Sequence, residues 1–237
     1  MDYNNYNNYN GYSADTALVS KVSSVMKHVY AKMTLALLVT AFVSMFCSQS
    51  FGYMSYIATH SWVMWALIIA ELGLVIGISG AINKLSSTTA TLLFYLFAVV
   101  NGLMLAPIFI VYTGTSIAKT FFITAGTFGA MSVYGYFTDR DLTKFGNILF
   151  MALIGLIIAS LVNIFLKSST MGWIISIFGV LIFVGLTAWD TQQIKRMAEM
   201  APASSIGKLA TLGALNLYLD FINLFLYLLR FFGNSRD

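Results

Sequence analysis

Ala214-Leu-Asn-Leu-Tyr-Leu-Asp-Phe-Ile-Asn-Leu-Phe-Leu-Tyr-Leu-Leu-Arg230 is apolar almost throughout, yet it carries a carboxylate, Asp220, near its middle. At 3.6 residues per turn Asn216, Asp220, Asn223 and Tyr227 follow i, i+4, i+7, i+11 and share one helix face. Leu, Phe and Ile occupy the other faces. An ionisable group inside an apolar helix is expensive unless it is paired or faces water, so the rest of the chain has to supply a partner.

The composition fixes the solvent. Of 237 residues 59% are hydrophobic and 9% charged, with a mean hydropathy of +0.81. A soluble domain carries about 25% charged residues; a chain this poor in charge cannot cover itself against water, so its solvent is lipid. The net charge of +4 is spread without a basic cluster, which excludes nucleic acid as a partner. The single cysteine, Cys47, rules out an internal disulfide framework and a multi-Cys metal site. His28 and His60 stand just before the first two apolar segments, away from any chemistry buried in the bilayer.

The Tyr/Asn tract Tyr3–Tyr12 has no aliphatic residue, and residues 1–20 read as a disordered cytoplasmic tail. Residues 21–237 read as one compact all-α domain, a polytopic membrane bundle. Its seven apolar segments fall at roughly 29–50, 61–82, 90–112, 117–137, 147–166, 172–193 and 213–232, each near the ~20 residues that cross a bilayer. Ser48-Gln-Ser50, Asn83 to Ser87, Tyr112 to Ser116, Thr138 to Asp141, Lys167 to Thr170 and Lys195 to Lys208 carry the turn chemistry or charge that separates them. Gly102, Gly126, Gly129, Gly155 and Gly179 are expected at close helix contacts. Pro107 is expected to kink the third segment, with Asn101 satisfying freed backbone groups.

With the N-terminus and even-numbered loops on one side, Lys21, Lys27, Lys32, Lys84, Arg140, Lys144, Lys195, Arg196 and Lys208 fall there. Lys119, Lys167, Arg230 and Arg236 fall on the other. The bias places the N-terminus in the cytoplasm. Seven full crossings put the C-terminus outside; a re-entrant last segment would return it.

Within the spans the acids are Glu71, Asp190 and Asp220, whereas Lys32, Lys119 and Arg230 lie near span ends, where long side chains snorkel to water. Asp190 lies ~5–8 Å inside the end of the sixth segment and Asp220 ~10 Å past the start of the seventh, at 1.5 Å per residue. The two segments are consecutive and antiparallel, so the carboxylates arrive at similar depth and can meet. Two carboxylates in contact at low dielectric share a proton and titrate as a unit. Protonated, the pair is a latch between helices; ionised, it repels itself or takes a cation. Calcium prefers oxygen ligands, and Asn216, Asn223 or Gln193 would add theirs. Glu71, with no basic residue at its depth, lines an ion path or packs as a neutral acid.

Three stretches resemble the Bax inhibitor-1 family of transmembrane Bax-inhibitor-motif proteins: Thr138-Asp-Arg-Asp-Leu-Thr143, Trp189-Asp-Thr-Gln-Gln-Ile194 and Ala214 through Phe225. The resemblance covers residues 20 to 233, and its last motif is the specific one. It implies a bacterial inner-membrane protein of seven helices, with the C-terminal helix central and six others around it. It further implies a pH-sensitive calcium leak gated by an aspartate pair, onto which Asp190 and Asp220 map, with Glu71 as the acid of the second helix. Part of the family has an arginine that latches onto the pair. Lys84 stands in that neighbourhood here, and a lysine offers a point charge in place of a bidentate fork. Other bacterial relatives imply an alternative, a non-transporting protein that modulates a membrane protease.

An enzyme is not expected. Intramembrane aspartyl proteases place Gly-x-Gly before the second aspartate and add a Pro-Ala-Leu loop. Here Leu217-Tyr-Leu219 precedes Asp220, and the late proline gives Ala201-Pro-Ala-Ser204. A rhomboid-type serine site lacks its membrane histidine. No cofactor is expected beyond calcium and protons as cargo, with the lipid bilayer as the constant partner.

Overall fold

Hydropathy and capping chemistry set the elements of the computed structural model, which describes residues 3–234 and leaves the side chains of residues 3–15 and 203 outside the description. The helices are α1 (Tyr3–Ser48), α2 (Phe51–Thr59), α3 (Ser61–Ala81), α4 (Ser87–Leu105), α5 (Ile108–Val111), α6 (Gly114–Phe137), α7 (Thr143–Leu166), α8 (Ser169–Met200) and α9 (Ile206–Phe232), with one 3-10 turn at Ala203–Ser205. Among the described residues every regular element is helical, which makes the chain an all-α membrane protein. The tail expected to be disordered falls largely outside the described side chains.

The serines and threonines at the breaks act as N-caps. Ser50 accepts from the Tyr53 amide, Ser86 from Thr89, Thr113 from Ser116 and Ser168 from Met171. Each satisfies an amide that the first helical turn leaves without a partner.

All seven predicted segments fall on long helices. Six stretches among the described residues are long and apolar enough to cross a membrane: Thr16–Ser48, Ser61–Ala81, Ser87–Val111, Thr143–Leu166, Ser169–Met200 and Ile206–Phe232. The remaining long helix, α6, has 24 residues but is diluted by hydroxyls and glycines. Its buried positions Ser116, Thr120, Thr124, Phe128 and Ser132 recur every fourth residue, so its polar stripe faces inward.

The last helix is the hub. In α9 67% of the most apolar window is buried inside the protein, against 6% in α3 and 11% in α7. It packs on α8, α1, α6, α4 and α3. Ala214, Leu215, Leu217, Tyr218 and Leu224 are fully enclosed. Phe165, Ile76 and Phe122 stay uncovered on the outer helices, as expected where lipid replaces water.

Two details differ from expectation. Gly102 and Gly179 do sit at close contacts, against Val43 and Tyr227, but Gly126, Gly129 and Gly155 face open space. At Pro107 the regular helical bonding is interrupted between α4 and α5, where a kink is expected, while Ala106 and Pro107 keep right-handed helical backbone angles. The proline has no amide to give the Leu103 carbonyl four residues back; the Ala106 amide reaches that carbonyl at 3.4 Å, and Tyr53 Oη donates to it at 2.8 Å. Burial, then the neighbouring Cys47, holds the Tyr53 hydroxyl above its ordinary value, so it keeps the proton it donates. Asn101, expected there, is engaged elsewhere.

Candidate functional site

Asp190 and Asp220 are brought together. Their carboxyl groups lie within hydrogen-bonding reach across the α8–α9 interface. Both carboxyls lie further from their helix ends than expected, because α8 runs on to Met200 and α9 begins at Ile206. At 1.5 Å per residue, Asp190 is about 15 Å before the end of α8 and Asp220 about 21 Å past the start of α9. Asp220 is buried and Asp190 half-buried. Asp220 Oδ2 is enclosed and takes a hydrogen bond from no donor among the described residues. A buried carboxylate oxygen without a donor is costly; a proton held between the two carboxyls removes that cost.

Small residues set the register of the antiparallel helices. Gly179 leaves the space taken by the Tyr227 ring, and Gly213 packs on Ile194. The segment before Asp190 is gripped from two more sides. Gly135 of α6 lets the Ala188 backbone approach, and Gly146 of α7 seats the Trp189 ring. In both places a Cβ would overlap its neighbour, so Asp190 is positioned by glycines on α6 and α7 as well as by its own helix.

Beyond the pair, α8 holds the Thr138–Thr143 loop. Gln192 Oε1 accepts from the Leu142 amide at 2.9 Å, and Gln192 Nε2 donates to the Arg140 carbonyl at 2.8 Å. Arg196 Nη1 reaches Asp141 Oδ1 at 2.8 Å and Thr143 Oγ1 at 2.9 Å. The Thr143 hydroxyl and amide, then Arg196, lower the Asp141 carboxyl from its ordinary 3.8 to about 2. Two of the stretches that carry the resemblance are thus bound to one another.

Glu71 belongs to a second network. Asn101 Nδ2 donates to Glu71 Oε1 at 2.7 Å, and Tyr218 Oη donates to Asn101 Oδ1 at 3.0 Å. The Thr40 hydroxyl lies 2.6 Å from Tyr218 Oη and 2.8 Å from the Ala98 carbonyl. Helices α3, α4, α9 and α1 are therefore tied by one chain of polar groups. Tyr218 is two residues, about 200° of rotation, from Asp220. The last helix accordingly has two polar faces on nearly opposite sides, and the single-face reading found one of them. Asn216 and Asn223 are half-buried, and Asn223 Nδ2 turns back to the Leu219 carbonyl at 2.8 Å.

Lys84 is not brought to the pair. It stands exposed in the turn after α3, and its side chain has no hydrogen bond or ion pair among the described residues. The lysine that enters the bundle is Lys32, expected to snorkel away. Lys32 Nζ donates to Thr211 Oγ1 at 2.6 Å, Thr91 Oγ1 at 2.8 Å and the Gly207 carbonyl at 3.3 Å. Lys32 lies on the side of α1 that packs against α4 and α9. Its signal in the sequence is the pair of threonines, each one short side chain from a helix face that α1 covers.

The family described as inhibitor of apoptosis-promoting Bax1 matches residues 22–237. The chain belongs to the Bax inhibitor-1 family. Among its relatives are the Escherichia coli K12 inner membrane protein YbhL, 53% identical over 89% of this chain and 92% of that protein, and a Borreliella burgdorferi protein, 49% identical over 88% and 91%. A Streptococcus pyogenes membrane protein is 37% identical over 87% and 91%. This Bax inhibitor-1 family chain is thus a multi-pass membrane protein.

Proposed function

We infer that the protein is a pH-sensitive leak for calcium or a similar cation, with the Asp190–Asp220 pair as its gate and no enzymatic activity. The observation that carries this reading is the facing pair itself, with the donor-less Asp220 Oδ2. Sharing a proton, the carboxyls latch α8 to α9. Without it, two negative charges at low dielectric repel or accept a cation. One stimulus therefore changes both the packing of the central helix and the charge on the path.

Further buried oxygens on α6 support a polar route through the bundle. Thr120 Oγ1 and Ser132 Oγ on the inward stripe of α6 are buried without a partner among the described residues. Ser132 lines a cavity of about 640 Å³ between α1 and α6, with Lys27, Tyr30 and Tyr136. Calcium takes six to eight oxygens, and no cluster of three or more carboxylate, histidine or cysteine side chains capable of holding a metal occurs among the described residues. That set suits passage better than tight residence. The N-terminus is taken as cytoplasmic, from the lysine and arginine bias, in the plasma membrane of a bacterial cell.

The test is calcium flux into liposomes after a pH jump, for the wild type beside Asp190→Asn and Asp220→Asn. The wild type shows flux that depends on pH, and either substitution flattens that dependence. Flux and pH response unchanged in both variants overturn the reading.

A further inference from the structure

At the end of the bundle away from the α8–α9 connection, a cavity of about 450 Å³ opens between α7, α8 and α9. It is lined by Asn163, Lys167, Ser168, Gly172, Trp173 and Arg230, among others. Two cations on different helices therefore share one space. Neither side chain has a hydrogen bond or ion pair among the described residues; the salt bridge found there, Arg196–Asp141, belongs to the opposite end.

The polar groups around the space are donors. Asn163 Oδ1 is used by the Ser168 amide at 3.2 Å, which leaves Asn163 Nδ2 free to donate, 3.4 Å from where a Gly172 Cβ would stand. Arg230 Nη2 lies 3.1 Å from the same position. The guanidinium thus sits over the first turn of a 32-residue helix, the end whose dipole repels cations. Lys167 adds a second charge, from a left-handed backbone with φ 49°. Like charges gathered on a positive helix end call for an anion. The chain offers few: of its acidic residues Asp2, Asp15, Glu71, Asp139, Asp141, Asp190, Glu199, Asp220 and Asp237, the last alone follows α9, and it lies outside the described residues.

We propose that this cavity binds the phosphate group of an anionic phospholipid. The setting favours a lipid over a free ion. Trp173 at the rim is 60% exposed, and Phe165 and Leu166 beside Lys167 are 85% and 62% exposed. An aromatic ring and apolar side chains at the end of membrane spans mark the headgroup boundary, where acyl chains cover the apolar groups while the phosphate meets the cations. The site is independent of the leak reading, since it shares no residue with the Asp190–Asp220 pair.

Native mass spectrometry of the purified protein tests this with phosphatidylglycerol, phosphatidylcholine and inorganic phosphate offered separately. The wild type is expected to retain phosphatidylglycerol about tenfold better than phosphatidylcholine, and the double variant Lys167→Gln/Arg230→Gln to lose that preference. Arg230→Lys, which keeps the charge, is expected to keep most of it and so separates lost charge from lost fold. Equal retention of both lipids by the wild type overturns the proposal, as does unchanged preference in the double variant. Inorganic phosphate bound in place of lipid makes it a free-phosphate site and overturns the lipid. A preference that emerges only with Asp237→Asn shows that the chain's own carboxylate fills the cavity, and overturns it too.

Discussion

Tyr53 shows how one side chain repairs a helix break. Pro107 denies the Leu103 carbonyl its i+4 amide, the Ala106 amide reaches it only at 3.4 Å, and the tyrosine hydroxyl supplies the short bond. Tyr53→Phe leaves that carbonyl with only the long bond from the Ala106 amide at 3.4 Å, at a cost of about 0.5–1.5 kcal/mol, expected as a thermal midpoint lower by roughly 2–4 °C per kcal/mol in detergent. Asp141 makes the complementary case for pH. Its carboxyl is lowered to about 2, so the docking of its loop is fully present above the ordinary value near 3.8 and is lost as pH falls through about 2. Asp141→Asn is therefore expected to leave the flux response between pH 5 and 8 in place, measured in the same liposomes. A response that vanishes with Asp141→Asn would move the pH sensor from the aspartate pair to the loop.

At the scale of elements the decisive contacts are glycine against something large. Gly146 faces the Trp189 ring, whereas Gly155 on the same helix faces open space. Gly146→Val is expected to lower the thermal midpoint by several degrees and shift the pH midpoint of flux, because α7 can no longer seat the residue beside Asp190. Gly155→Val should stay within about 0.5 kcal/mol of wild type. Sequence alone ranked these glycines the wrong way, since Gly155 lies in the apolar run Leu153-Ile-Gly-Leu-Ile157 and Gly146 lies beside Lys144 and Asn147, outside the predicted span. It located the helices well, because hydropathy marks spans, and it misjudged ends where polar residues continue a helix. The segment from Lys195 to Lys208 read as a loop; instead α8 continues to Met200 and α9 starts at Ile206. Predicted ends at 193 and 213 are each seven residues short, so the two errors cancel and the expected meeting of Asp190 and Asp220 survives them. Lys32 had no such cancellation, because its direction depends on which helices α1 covers.

Across the whole molecule the two networks of α9 do different work. The Asp190–Asp220 contact joins two helices, whereas the Glu71–Asn101–Tyr218–Thr40 chain spans four. Removing one link there disturbs the others, so Asn101→Ala and Tyr218→Phe together should cost less than their separate effects summed. A double-mutant cycle on thermal unfolding in detergent should give a coupling of about 0.6–1.7 kcal/mol; strict additivity would show that the chain does not act as a unit. The position of α9 also has a consequence for biosynthesis. The helix that fills the centre leaves the ribosome after every helix it joins. Until it arrives, Thr40, Lys32, Asn101 and Asp190 sit in a nascent bundle whose middle is empty, and the early spans must wait as a loose ring in the bilayer. A ribosome stalled before Ile206 would therefore release a species with exposed intramembrane polar groups, a substrate for membrane quality control.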